Sequence, residues 1–180
     1  MRSTINVIVF MSFFLLWVAC SQKSNTEILE QEDITSIPDV VIRNFSDSSM
    51  NASIKNWILK ADKAEVYEKQ SKTVLSNLQV SLFKNNNEEG ILTAKWGFIT
   101  SGGKNISART NVVYKSKDGF QLYTASLFWD NSKKHLKTSD FVKIIQPNGD
   151  IITGYGLEAN QNFSEISILH KVKGKLHRHD

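Results

Sequence analysis

The sequence holds a single cysteine, Cys20, among 180 residues, so no internal disulfide can form. Two prolines and nine glycines are too few for a collagenous or low-complexity chain. Charge of one sign is also scarce. Lys and Arg number 22 against 18 Asp and Glu, a net +4, with both signs interspersed. A nucleic-acid-binding surface concentrates its basic residues in a stripe; only KVKGKLHR at residues 171–178 does so, briefly, and a solvated last strand accounts for it. No nucleic-acid partner is expected. After the N-terminal segment, no window of helical length shows a helical period.

The groups that catalysis requires are equally sparse. His135 lies in a lysine-rich turn, His170 on the last strand, and His177 and His179 at the chain end. Two histidines at i, i+2 without further ligands read as a frayed tail rather than a metal site. No serine stands in a G-x-S-x-G pattern. Gly154-Tyr155-Gly156 lies between strands and opens no helix, so it is no dinucleotide loop. Asn-x-Ser triplets begin at Asn44, Asn51, Asn105 and Asn162, incidental matches to the glycosylation pattern in a chain rich in both residues. The expectation is a binding protein, not an enzyme, with no cofactor and no metal.

What is present begins with an apolar run, INVIVFMSFFLLWVA, at residues 5–19. As a helix it would span roughly 22 Å, short of the ~30 Å hydrocarbon core. It reads as a signal-peptide core. It ends at Ala19-Cys20, as a bacterial lipoprotein cleavage site does, with Cys20 becoming the lipid-bearing first residue. Trp17 stands where such sites usually carry an aliphatic residue. The other reading is an uncleaved short anchor. Both tether an exported chain to a membrane. The expected organisation is a signal or anchor at 1–19, a polar linker at 20–38 and a β domain at 39–180.

The domain alternates apolar and polar residues with period two, the signature of strands: Trp57-Ile58-Leu59-Lys60-Ala61, Leu78-Gln79-Val80-Ser81-Leu82, Leu92-Thr93-Ala94-Lys95-Trp96 and Leu122-Tyr123-Thr124. Turns are expected at 46–51, 85–90, 101–103, 117–119, 130–132, 147–150 and 160–162. A phrase recurs as Leu59-Lys60-Ala61, Leu92-Thr93-Ala94, Leu122-Tyr123-Thr124 and Ile152-Thr153-Gly154, spaced by 33, 30 and 30 residues. That spacing is one hairpin per repeat, in a stacked or rolled β architecture. A small residue follows the large aliphatic two places on. Either the small residues pack against large ones in a filled sandwich, or they leave a trough open between two sheets. Such a trough would suit acyl chains, at ~0.8 kcal/mol per buried CH₂.

The order of motifs resembles the LptC family, the periplasmic component of the lipopolysaccharide-export ABC transporter. After an anchoring N-terminus and a polar linker come Trp57-x-Leu59-x-Ala61-x-x-Ala64 and Asp118-Gly119-x-x-Leu122-x-Thr124-x-x-Leu127-x-Trp129. Thr138-Ser139-Asp140-x-Val142 and Gly154-x-Gly156-Leu157-x-Ala159 follow, so the likeness spans about residues 40–172. The resemblance implies an all-β, antiparallel β-jellyroll, slightly open and LptA-like. It implies an interior that carries lipopolysaccharide or a related acylated lipid. It further implies an LptBFG-like transporter as the donor and an LptA-like bridge protein as the acceptor, joined edge strand to edge strand. The expected lipid-binding residues are Trp57, Leu59, Ala61, Leu78, Val80, Leu92, Ala94, Trp96, Leu122, Thr124 and Val142, with Gly154 at a partner interface. Family members keep a transmembrane helix, whereas this chain carries a lipoprotein-like signal. Ser21 gives no retention signal of the aspartate type. The expected site is periplasmic, at the inner membrane through Cys20 or the short segment. A membrane-anchored structural or adhesive β-lipoprotein with a solid core is the alternative.

Overall fold

The computed structural model describes residues 37–100, 105–130, 133 and 135–177. The signal-like segment, Cys20, most of the linker and the expected turn at 101–103 lie outside the described residues. These form β1 (Val40–Asn51), β2 (Ile54–Tyr67), β3 (Lys72–Lys84), β4 (Asn87–Thr100), β5 (Asn105–Ser116), β6 (Gln121–Asp130), β7 (His135–Ile145), β8 (Ile151–Asn160) and β9 (Ile166–Lys175). Each strand pairs antiparallel with the next in one open, nine-stranded sheet, with β1 and β9 at its edges. The fold is all-β and jellyroll-like, as expected, but its strands follow one another in sequence order.

Two expected turns are shorter than the composition suggests. Residues 46–51 belong to β1, and the chain reverses at Ala52-Ser53. Polar residues are at home there because β1 is an edge strand, exposed along most of its length. The stretch 85–90 turns only at Asn85 and Asn86, whose φ values of 51° and 66° suit a two-residue type I′ hairpin loop. The rest begins β4. Gly154-Tyr155-Gly156 likewise lies inside β8 rather than between strands.

The repeated phrase falls before the middle of β2 and β4 and at the start of β6 and β8. Cross-strand pairing joins it into one row: Leu59, Val80, Leu92, Tyr114, Leu122, Ile144 and Ile152. Halfway along the strands this alternation breaks. Buried positions run Leu59, Ala61 then Ala64 in β2, Leu75 then Leu78 in β3, and Leu122, Thr124 then Leu127 in β6. Each gap of three residues shifts the inward set by one. Non-glycine residues with positive φ lie on the same line across the sheet: Asn44, Asn77, Thr110, Asn111 and Lys171. The ladders slip there too, between Thr93 and Trp96, Arg109 and Val112, and Thr153 and Tyr155. A bulge bends its strand and strengthens the local twist. Repeated in strand after strand, the bulges fold the sheet along one line, so its two halves face each other across a shared apolar interior. The ring of Tyr114, near the end of β5, accordingly stacks on Phe163 of the β8–β9 loop, with centroids 4.2 Å apart.

Candidate apolar binding cavity

Folding the sheet leaves a cavity of about 520 Å³ between its halves, within the range of small-molecule sites. One wall is built before the fold line in β2 and β4 and after it in β3. It carries Trp57 and Leu59 from β2, Val80 and Leu82 from β3, and Leu92 from β4. Alternation aims them inward, while Lys60, Gln79 and Thr93 between them point out. The opposite wall carries Leu75, Gly97, Ile106, Ala108, Leu127, Trp129 and Leu136. Gly97 keeps this wall low. A Cβ there would lie 3.1 Å from Leu78 Cδ2 and 3.2 Å from Leu75 Cβ. Ser49, Asn56, Ser107 and Gln161 supply the polar contribution. Among the described residues no lining side chain is charged, so the cavity can bury an aliphatic group. Among the described residues no cluster of His, Cys, Asp and Glu could hold a metal.

The structure sorts the residues expected to bind lipid into three groups. Trp57, Leu59, Leu78, Val80 and Leu92 line the cavity. Ala61, Ala94, Leu122, Thr124 and Val142 are buried in the core without lining it. Trp96 does neither. The bulge in β4 makes Gly97 the residue that follows Ala94 inward, and Trp96 is left half-buried with Lys95 Nζ 5.9 Å from its ring. The reading that placed Trp96 beside Leu92 and Ala94 is corrected on this ground.

The small residues of the repeat do not hold a trough open at their own level. Leu78 pairs with Ala94, Val112 with Thr124, Thr124 with Val142, and Val142 with Gly154. Large residues on odd strands thus fill the space beside small ones on even strands. Thr124 Oγ1 is buried there with no hydrogen-bond partner among the described residues.

Gly154 is not a surface position. A Cβ added to it would meet Ile168 Cγ2 at 2.5 Å and the His170 carbonyl oxygen at 2.8 Å. It lets β9 cross close to β8, so its effect on any partner passes through β9. That edge strand has no acidic residue. Lys171, Lys173 and Lys175 punctuate it, Leu169 and Val172 are exposed, and Lys171 Nζ sits 5.5 Å from the Tyr155 ring.

Sequence reasoning left several interior residues unassigned. Leu127 and Trp129 stand in the quoted motif. Leu75 is hidden by the bulge that separates it from Leu78. Phe163 sits in a loop and carries no periodic signal. Beside it, burial pushes the Tyr114 phenol up to about 12, helped by the charges of Asp118 and Glu89. The Asp118 carboxyl is held below its ordinary value by hydrogen bonds from the Ser116 hydroxyl and the Phe120 N–H, which pin the β5–β6 turn.

Comparison with known proteins places this geometry. A family model described as lipopolysaccharide-assembly, LptC-related, matches residues 5–177. Among solved structures, LptH of Pseudomonas aeruginosa is described as the LptA-homologous periplasmic component of the conserved lipopolysaccharide transport device. It matches with a TM-score of 0.51 at 14% identity, over 68% of this chain and 95% of that one, and so shares the fold. No curated protein matches by sequence.

Proposed function

The chain belongs to the LptC-related family of lipopolysaccharide-assembly proteins, and from that membership we propose that it is a non-catalytic, periplasmic subunit that receives the acyl chains of lipopolysaccharide and passes them along a transenvelope bridge. The observation that carries the reading is the apolar cavity between the folded halves of the sheet, walled by Trp57, Leu59, Val80 and Leu92, with no charged lining side chain among the described residues. Each CH₂ moved from water into such a space gains ~0.8 kcal/mol, so a chain enters without chemistry and leaves when a neighbour offers a similar surface. The edge strands β1 and β9, each paired on one side only among the described residues, suit strand-to-strand docking: an LptBFG-like transporter on one side and an LptA-like bridge protein on the other. Lysines 171, 173 and 175 on β9 favour an acidic strand as its partner. Cys20, as the lipid-bearing first residue of the mature chain, would hold the domain at the membrane; no helix among the described residues is long and apolar enough to cross one.

A photocrosslinking residue placed at Leu59 or Leu92, in cells exporting lipopolysaccharide, should capture that lipid. The same residue at Lys60 or Thr93, on the outward face, should not. Equal capture on both faces, or none inside, overturns the reading. Absence of capture inside would favour a solid-core structural lipoprotein, for which the closely packed side of the interior around Leu122 and Val142 is the supporting observation.

A further inference from the structure

We infer that Phe163 is the stop that sets how far an acyl chain reaches along the interior; this rests on the lipid-binding reading above. The inward row of Leu59, Val80, Leu92, Tyr114, Leu122, Ile144 and Ile152 runs across seven strands at one level. Its first three members line the cavity, and Tyr114, Leu122 and Ile144 do not. The same row is open at one end and filled at the other. The change falls where the Phe163 ring enters from the β8–β9 loop. Phe163 lines the cavity, and its ring lies nearly parallel to that of Tyr114, at 23° and 4.2 Å. Tyr114 is 2% exposed and has the Phe120 ring beyond it at 6.1 Å.

The loop is built to hold this ring inside. Phe163 adopts a φ of 56°, in the left-handed region that bulky residues avoid. Asn160 maintains it. Its Oδ1 accepts the N–H of Ser164 at 3.0 Å and of Glu165 at 3.3 Å, and its Nδ2 donates to Ser164 Oγ at 2.8 Å. Its carbonyl accepts the Phe163 N–H at 3.1 Å. An aliphatic chain lying along Leu59 and Leu92 therefore meets an aromatic wall before it reaches Leu122. A residue that merely fills the core would affect stability when removed; a stop also changes which positions the lipid touches.

The test uses the full chain in cells exporting lipopolysaccharide, with a diazirine-bearing aliphatic residue at Leu59 or at Leu122. In the otherwise unchanged protein, capture is expected at Leu59 and to be several-fold weaker at Leu122. Phe163→Ala should raise capture at Leu122 to near the Leu59 level and leave Leu59 unchanged. Asn160→Ala, which loosens the loop without altering a sheet side chain that faces the interior, should shift capture the same way and serves where Phe163→Ala does not accumulate. Equal capture at both positions before any loop change overturns the stop. So does capture at Leu59 alone that neither variant extends. Capture at neither position removes the lipid reading and the stop with it.

Discussion

Replacing Gly154 by alanine is expected to loosen β9 and lower the stability of the domain. The new Cβ would stand 2.5 Å from Ile168 Cγ2 and 2.8 Å from the His170 carbonyl oxygen. A rotamer change at Ile168 relieves the first contact. The second is to backbone, and only movement of β9 relieves it. Overpacking of this kind costs about 1–3 kcal/mol. Against it, alanine restricts the unfolded chain, worth about 0.4–1 kcal/mol where the native backbone accepts it. Gly154 is not among the positive-φ glycines, so that gain applies. The net loss lies between about 0 and 2.6 kcal/mol, about 1.3 kcal/mol at the middle of the two ranges. With a urea slope of ~2 kcal/mol/M that central value lowers the unfolding midpoint by about 0.6 M. Hydrogen exchange should quicken first at the amides that join β9 to β8. Arginine at the same place, which no rotamer accommodates under β9, should detach the strand and abolish copurification with bridge partners. An unchanged midpoint for Gly154→Ala with β9 fully protected would refute the close-approach argument. It would return Gly154 to the role of a direct partner contact.

Three further outcomes follow from the same geometry. The Tyr114 phenol titrates at about 12 in the folded protein and near 10 when unfolded. The folded state thus holds the proton more tightly, and its stabilisation is complete below about pH 10 and falls by on the order of 2 kcal/mol as pH rises through the folded value. Ultraviolet titration should show a late phenolate that Tyr114→Phe removes; a titration curve unchanged by Tyr114→Phe at its alkaline end would contradict this. Lys173→Glu with Lys175→Glu should weaken capture of a bridge partner and flatten its salt dependence. Unchanged binding across salt would exclude β9 as the acidic partner's dock. Cys20→Ala should leave an unprocessed chain of higher mass in the membrane fraction, and a mass identical to the processed protein's would refute lipidation.

The sequence made many of the strands legible because alternation survives wherever a strand is regular, whereas their sequential pairing in one sheet was not read from it. Leu59-Lys60-Ala61 and its three echoes mark the even strands, and the 30-residue spacing is the length of a hairpin. The register of Leu122 and Thr124, both inward, follows from the same rule. Trp96 was misplaced because period-two counting assumes an unbroken pleat, and the fold line adds a residue between Ala94 and Gly97. The cue was present but weak: Asn44, Asn77 and Asn111 take positive φ, a conformation asparagine tolerates better than most residues. Phe163 offered no cue of this kind. A loop aromatic becomes an interior residue only through Asn160 and its hydrogen bonds, and none of these has a periodic signature.

The fold line also explains how one repeat yields both an open and a filled interior. Each repeat sends the same large aliphatic inward from its even strand, so the row itself is uniform. Openness depends on what the other half of the sheet sets against it. The lining that accompanies Leu59 and Leu92 includes the small residues Gly97 and Ala108. Opposite Tyr114 stands the Phe163 ring, and the space closes. The near-constant density of protein interiors makes such a cavity unusual unless its walls hold one another apart. Here the bulges fix the separation of the halves, and collapse would have to undo the ladder in several strands at once. A cavity held open by backbone geometry rather than by side-chain shape tolerates replacement of one aliphatic by another at Leu59, Val80 or Leu92. It should not tolerate bulk at Gly97, where a Cβ already meets Leu75 and Leu78 at 3.1–3.2 Å.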